Sequence, residues 1–129
     1  MSSDLELVRQ AVDAFLHGEV ERSLEFADPE IVSTRMPPLP DPQTYHGTAG
    51  IMEMYEDWTA EFGEFDMEVI DVAEAGDRVI VEMIQRGRGR ASGAPVAGHF
   101  WFVFSVAGGR IARQDVYGSR DQAFEAAGA

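Results

Sequence analysis

From Val96 to Val106 two sets of side chains alternate: Val96, Gly98, Phe100, Phe102, Phe104 and Val106 against Ala97, His99, Trp101, Val103 and Ser105. A period of two is that of a β-strand, whose successive side chains point to opposite faces. The first set is apolar throughout and needs cover, which helices packed on that side supply. His99 and Trp101 are then expected on the outer, convex face. An exposed aromatic there points to a partner surface, so a homodimer through this face is expected.

The flanking segments fit the same scheme. Ser3 and Glu6 have capping-box spacing, and Leu5, Val8, Val12, Phe15 and Leu16 recur at helical intervals, predicting a helix over 4–16. A shorter helix is expected over 19–26, then a strand over 30–35 and a proline-rich loop over 36–42. Gly47 and Thr48 open a third helix with an apolar stripe at Ile51, Met54, Tyr55, Trp58 and Phe62, ended by Gly63. Strands follow at about 64–73, 78–90, 96–106 and 110–117, with turns at 75–77, 91–95 and 108–109. Ser119 and Gln122 cap a short last helix. This order buries its apolar stripes if the sheet curls around the helices. The expected fold is a single α+β domain over 1–129, a curved antiparallel sheet wrapped around three N-terminal helices as a half-open cone with a pocket inside.

Strand faces nominate the pocket residues. Over 78–90, Val79, Val81, Met83, Gln85, Gly87 and Gly89 share one face, while Arg78, Glu82, Arg86, Arg88 and Arg90 share the other with Ile80 and Ile84. The charged face is the outer one, and the Arg86, Arg88, Arg90 ladder is expected to meet carboxylates or a dimer partner. In the last strand, pointing Arg113 and Asp115 inward would bury two charges, so Gln114 and Val116 are expected inside.

Composition removes whole classes of chemistry. The chain has no cysteine and no lysine, so disulfides, thiolate nucleophiles, sulfur-bound metals and Schiff bases are excluded. The three histidines, His17, His46 and His99, match no metal-ligand spacing, and neither a metal nor a cofactor is expected. A formal charge of −13 opposes nucleic acid and anionic membranes. No apolar run approaches the roughly 20 residues that span a bilayer, and no leader pattern opens the chain, so a cytoplasmic protein is expected.

Three local sequences carry a family resemblance: Ala27-Asp28-Pro29-Glu30-Ile31-Val32, Tyr45-His46-Gly47 before the third helix, and Gly109-Arg110-Ile111 before a polar strand and an Ala-rich helix. With the element order, these make the chain resemble the SnoaL-like, nuclear transport factor 2-like superfamily over nearly its whole length. That superfamily includes ketosteroid isomerases, limonene-epoxide hydrolases, polyketide cyclases and binding-only members. The resemblance implies a small-molecule pocket worked without cofactor. The first strand with Met36-Pro37 looks most like the epoxide hydrolases, whose water-holding positions match Ser33 and Arg35 and whose triad positions match Met83, Gln85 and Val116. Neither carboxylate of that triad is present, and an amide takes no proton from water. The ketosteroid isomerase base position reads Met36, before Pro37, and its oxyanion tyrosine falls near Ala11, so that set is missing too. Cyclases of the SnoaL type use an aspartate and a histidine, for which Asp115 with His99 or His46 are the analogues; this needs the opposite register of the last strand.

The expected function is therefore acid–base isomerisation or cyclisation of a hydrophobic oxygenated metabolite, with Asp115, His99 and His46 as catalytic candidates. Non-catalytic ligand binding and a dimeric interaction domain are the alternatives. Arg35, Ser33, Trp58, Phe62, Met83, Gln85, Phe100, Phe102, Gln114 and Val116 are the expected substrate-binding residues. Of these Arg35 has the sharpest implication, because an arginine on a pocket wall must be paired or must face an anion. A charged pair within the pocket would favour catalysis; an apolar wall would favour binding.

Overall fold

The computed structural model describes residues 3–37, 39, 42–60 and 62–128, with side chains other than those of 62–65 and 96. Among these, helix α1 (Ser3–Leu16) and the short α2 (Val20–Leu24) precede strand β1 (Ala27–Arg35). Strand β2 (Thr44–His46) leads into helix α3 (Gly47–Ala60), and strands β3 (Phe62–Ala75), β4 (Arg78–Gly89), β5 (Pro95–Ala107) and β6 (Arg110–Tyr117) follow, closed by helix α4 (Arg120–Ala126). No helix among the described residues is long and apolar enough to cross a membrane.

Helix α1 turns Leu5, Val8, Ala11 and Val12 into the core, as its spacing requires. Gly18 ends it with φ of 77°, a left-handed value that glycine adopts without strain, and its N–H donates to Phe15 O. Chain reversal here sends α2 and β1 back across the core. Strand β1 starts three residues earlier than the proline suggested. Pro29 has no N–H to give a ladder, and the pairing with β6 is irregular between Ala27 and Val32, where Asp28 Oδ1 instead accepts from Glu30 N at 2.8 Å.

The sheet order is β2-β1-β6-β5-β4-β3. Strands β3 to β6 form the expected antiparallel meander, but β1 joins β6 in parallel, so the sheet is mixed. Two further expectations change. Residues 44–46 form an edge strand on β1, too short to show an alternation, and α3 stops at Ala60 because Phe62 already pairs with Gly89 in the β3–β4 ladder.

The curved sheet buries both of its faces in part. On the concave side Val79, Val81, Met83, Phe102, Phe104 and Val116 pack with α1 and Ile51 of α3. Burying each such side chain contributes about 1.5–3 kcal/mol. On the outer side Ala123 and Ala127 at α4 cluster with Ile80, Trp101, Val103 and Tyr117. This corrects one expectation. Trp101 does lie on the outer face, yet it is only 8% exposed because α4 covers it.

Candidate ligand-binding cavity

A cavity of about 80 Å³ opens between the helices and the concave face. Ala11, Val12 and Phe15 of α1 form one side, and Met54, Tyr55 and Trp58 of α3 another. The floor is Met83, Phe102, Phe104 and Gln114, with Met67 of β3 at its edge. These positions follow from two periodicities: helical residues three or four apart and strand residues two apart present one face.

Polar groups in the wall are few: Ser23, Tyr55, Trp58 and Gln114. Ser23 is in the wall, but its hydroxyl donates to Val20 O at 2.6 Å. Gln114 is the one side-chain amide in the described wall. Its Nε2 donates to Ser33 Oγ at 3.5 Å, and Ser33, fully buried, donates to Met54 Sδ at 3.4 Å. The described wall contains no carboxylate, imidazole or guanidinium.

Trp58 organises the other end. Its Nε1 donates to Oε1 of Gln85, itself buried on the concave face. Phe100 meets its ring edge-on at 5.1 Å between centroids and Phe102 stacks at 6.2 Å. Gly98 makes the Phe100 position possible, since a Cβ there would stand 2.5 Å from Phe100 Cε2. Arg35 places its Cζ 5.2 Å from the Trp58 centroid. Nearby, the buried Tyr45 hydroxyl donates to Asp57 Oδ2 at 3.1 Å. Burial first, then Asp57 as hydrogen-bond acceptor and as negative charge, pushes the Tyr45 phenol up to about 12, with Arg35 opposing.

The family model for the SnoaL-like domain matches residues 8–114. The chain belongs to the SnoaL-like domain family. Among solved structures, a nuclear transport factor 2-like protein from Burkholderia thailandensis is 20% identical with a TM-score of 0.83, covering 95% of this chain and 98% of its own. TerC, co-crystallised with polyporic acid, is 18% identical with a TM-score of 0.78, covering 99% and 100%. A putative SnoaL-like polyketide cyclase from Jannaschia is 18% identical with a TM-score of 0.75, covering 89% and 84%. At these identities the likeness is one of fold. No match was found among curated proteins.

In this SnoaL-like domain the expected site residues separate into three groups. Trp58, Met83, Phe102 and Gln114 line the cavity. Ser33 and Gln85 stand directly behind it, each bonded to a wall residue, while Phe100 braces Trp58 and Val116 is buried in the core. Arg35 is on the concave face beside the Trp58 ring and is not itself part of the wall. The Phe62 side chain lies outside the described residues.

The acid–base candidates do not assemble. Asp115 points to the outer face, 2.9 Å from Arg113 Nε, because the register that buries Val116 and Gln114 turns both charges outward. His99 is on the outer face too, stacked on Trp101 at 4.1 Å with Nε2 2.6 Å from Glu82 Oε2. His46 is exposed on the edge strand β2. Among the described residues no three histidine, aspartate or glutamate side chains converge. The arginine ladder meets mixed partners. Arg86 lies 3.1 Å from Glu68, while Arg88 and Arg90 donate to the carbonyls of Gly93 and Ala60.

Proposed function

We propose that this domain binds one compact hydrophobic molecule between its helices and sheet, and that Asp115, His99 and His46 do no acid–base chemistry on it. The observation carrying this reading is the wall itself: aromatic and aliphatic side chains from α1, α3 and the sheet, with Gln114 as the amide among them. Bound matter there loses contact with water and gains dispersion contacts, while one amide fixes its orientation. Catalysis by proton transfer needs a titrating group within hydrogen-bond reach of the reacting atom, and the expected ones face outward or sit on the edge strand.

Size restricts the ligand. The cavity of about 80 Å³ is smaller than the roughly 150 Å³ apolar cavity that admits benzene, so even one ring needs side chains to move. Met54, Met67 and Met83 give the wall that freedom, because an unbranched thioether changes rotamer at low cost.

Thermal shift and tryptophan fluorescence with neutral one- and two-ring aromatic probes test the proposal. Polyporic acid joins the panel because TerC, alike in fold, was co-crystallised with it. A probe at a hundred times its dissociation constant stabilises the fold by about 2.7 kcal/mol. No concentration-dependent shift with any probe up to its solubility limit overturns the reading.

A further inference from the structure

Each arginine in an acidic chain has carboxylates to choose from, and most of these arginines have found an oxygen. Arg22, Arg78, Arg86 and Arg113 meet Glu19, Asp77, Glu68 and Asp115. Arg88, Arg90 and Arg110 donate to backbone carbonyls. Arg120 lies over the Phe124 ring, and Arg35 likewise has a ring for a partner but differs in place. Strand parity puts it on the concave side, two residues beyond the fully buried Ser33 and opposite the fully buried Val116 of β6. Its Nε is buried and has no acceptor among the described residues, and no described carboxylate lies within ion-pair distance. Its one described side-chain contact of this kind is the Trp58 ring, whose Nε1 is committed to Gln85.

A guanidinium stays charged at any ordinary pH and cannot escape desolvation by losing its proton. A buried N–H on it without an acceptor is costly to maintain, and a planar fork of donors fits two carboxylate oxygens. We infer that Arg35 is an anion subsite at the Trp58 end of the cavity, taking the carboxylate of an aryl carboxylic acid whose ring occupies the apolar space. This rests on the cavity being a binding site. Trp58 is the shared element: its ring forms part of the cavity wall and also carries the guanidinium, so a ligand passing its edge meets both. The formal charge of −13 repels anions from the molecule as a whole. A preference for anions would thus run against the global field and report a local cation.

The experiment measures dissociation constants of benzoate, phenylacetate and 3-phenylpropionate beside their primary amides, on the full chain, for wild type and Arg35→Met. At least one carboxylate should bind wild type ten times or more tighter than its amide. Arg35→Met should weaken that carboxylate about ten- to a hundredfold and leave the amide within twofold. If amides bind wild type as well as carboxylates do, the Arg35 subsite is overturned and the cavity reading stands. If neither series binds, the Arg35 subsite falls, and the neutral aromatic probes alone decide the cavity reading. Should Arg35→Met not fold, the wild-type ratio decides, with Arg35→Gln as the second variant expected to lose the same preference.

Discussion

Trp58 and Gln85, 27 residues apart on α3 and β4, share a hydrogen bond from indole Nε1 to amide Oε1 that ties the last turn of the helix to the sheet. The bond matters because Gln85 is only 3% exposed, so its amide oxygen cannot turn to water in exchange.

Replacing Gln85 with Leu strands the indole N–H and should cost about 1–3 kcal/mol, read from urea denaturation of the two proteins. In a double-mutant cycle with Trp58→Phe, the coupling should lie between about 0.5 and 3 kcal/mol. Strict additivity would show the bond to contribute nothing.

Neither partner's role in that bond can be read from spacing alone, and this divides what the sequence tells from what it hides. Alternation exposes the strand faces: Phe102, Phe104, Val81 and Met83 pack inward as their period requires. Charge cost settles the β6 register, since burying Arg113 and Asp115 is dearer than burying Gln114 and Val116. Nonlocal pairing leaves no such trace. Three residues at β2 are too few to show a period, and the parallel join of β1 to β6 depends on segments about 80 residues apart. The short last helix is visible from its Ser119 cap, but where it docks is not, and its docking is what hides Trp101. Tyr45 and Asp57 likewise meet only because β2 folds against α3.

The Tyr45–Asp57 pair makes stability fall in strong alkali. The folded phenol titrates near 12 against 10.0 for the free group, so above pH 10 the unfolded chain loses a proton that the folded chain keeps. The contribution is therefore whole below pH 10 and is lost as pH rises from 10 to 12. Tyr45→Phe should remove this part of the decline, so that melting temperatures of the two proteins converge across that interval. A constant gap from pH 9 to 12 would disprove the coupling. The burial-raised Tyr117 is common to both proteins and cancels.

Trp101→Glu distinguishes a core role from a surface role on the outer face. At 8% exposure, in a cluster with Ile80, Val103, Tyr117 and Ala123, the indole is core, and a carboxylate there should cost about 3–5 kcal/mol. Loss on that scale removes much of a total stability of about 5–15 kcal/mol, so the variant should melt far lower or fail to fold. We propose that a homodimer forms through this same outer face, outside the Trp101 cluster, where half-buried Ile84 stands opposite exposed His99 across β4 and β5. Ile84→Glu introduces a charge that water can still reach in the protomer but that a dimer interface would desolvate. It should give a folded monomer, with a melting temperature lower only by the lost association. Light scattering and sedimentation at micromolar concentration decide the matter: a monomeric wild type, or an Ile84→Glu variant that stays dimeric, overturns the proposed interface.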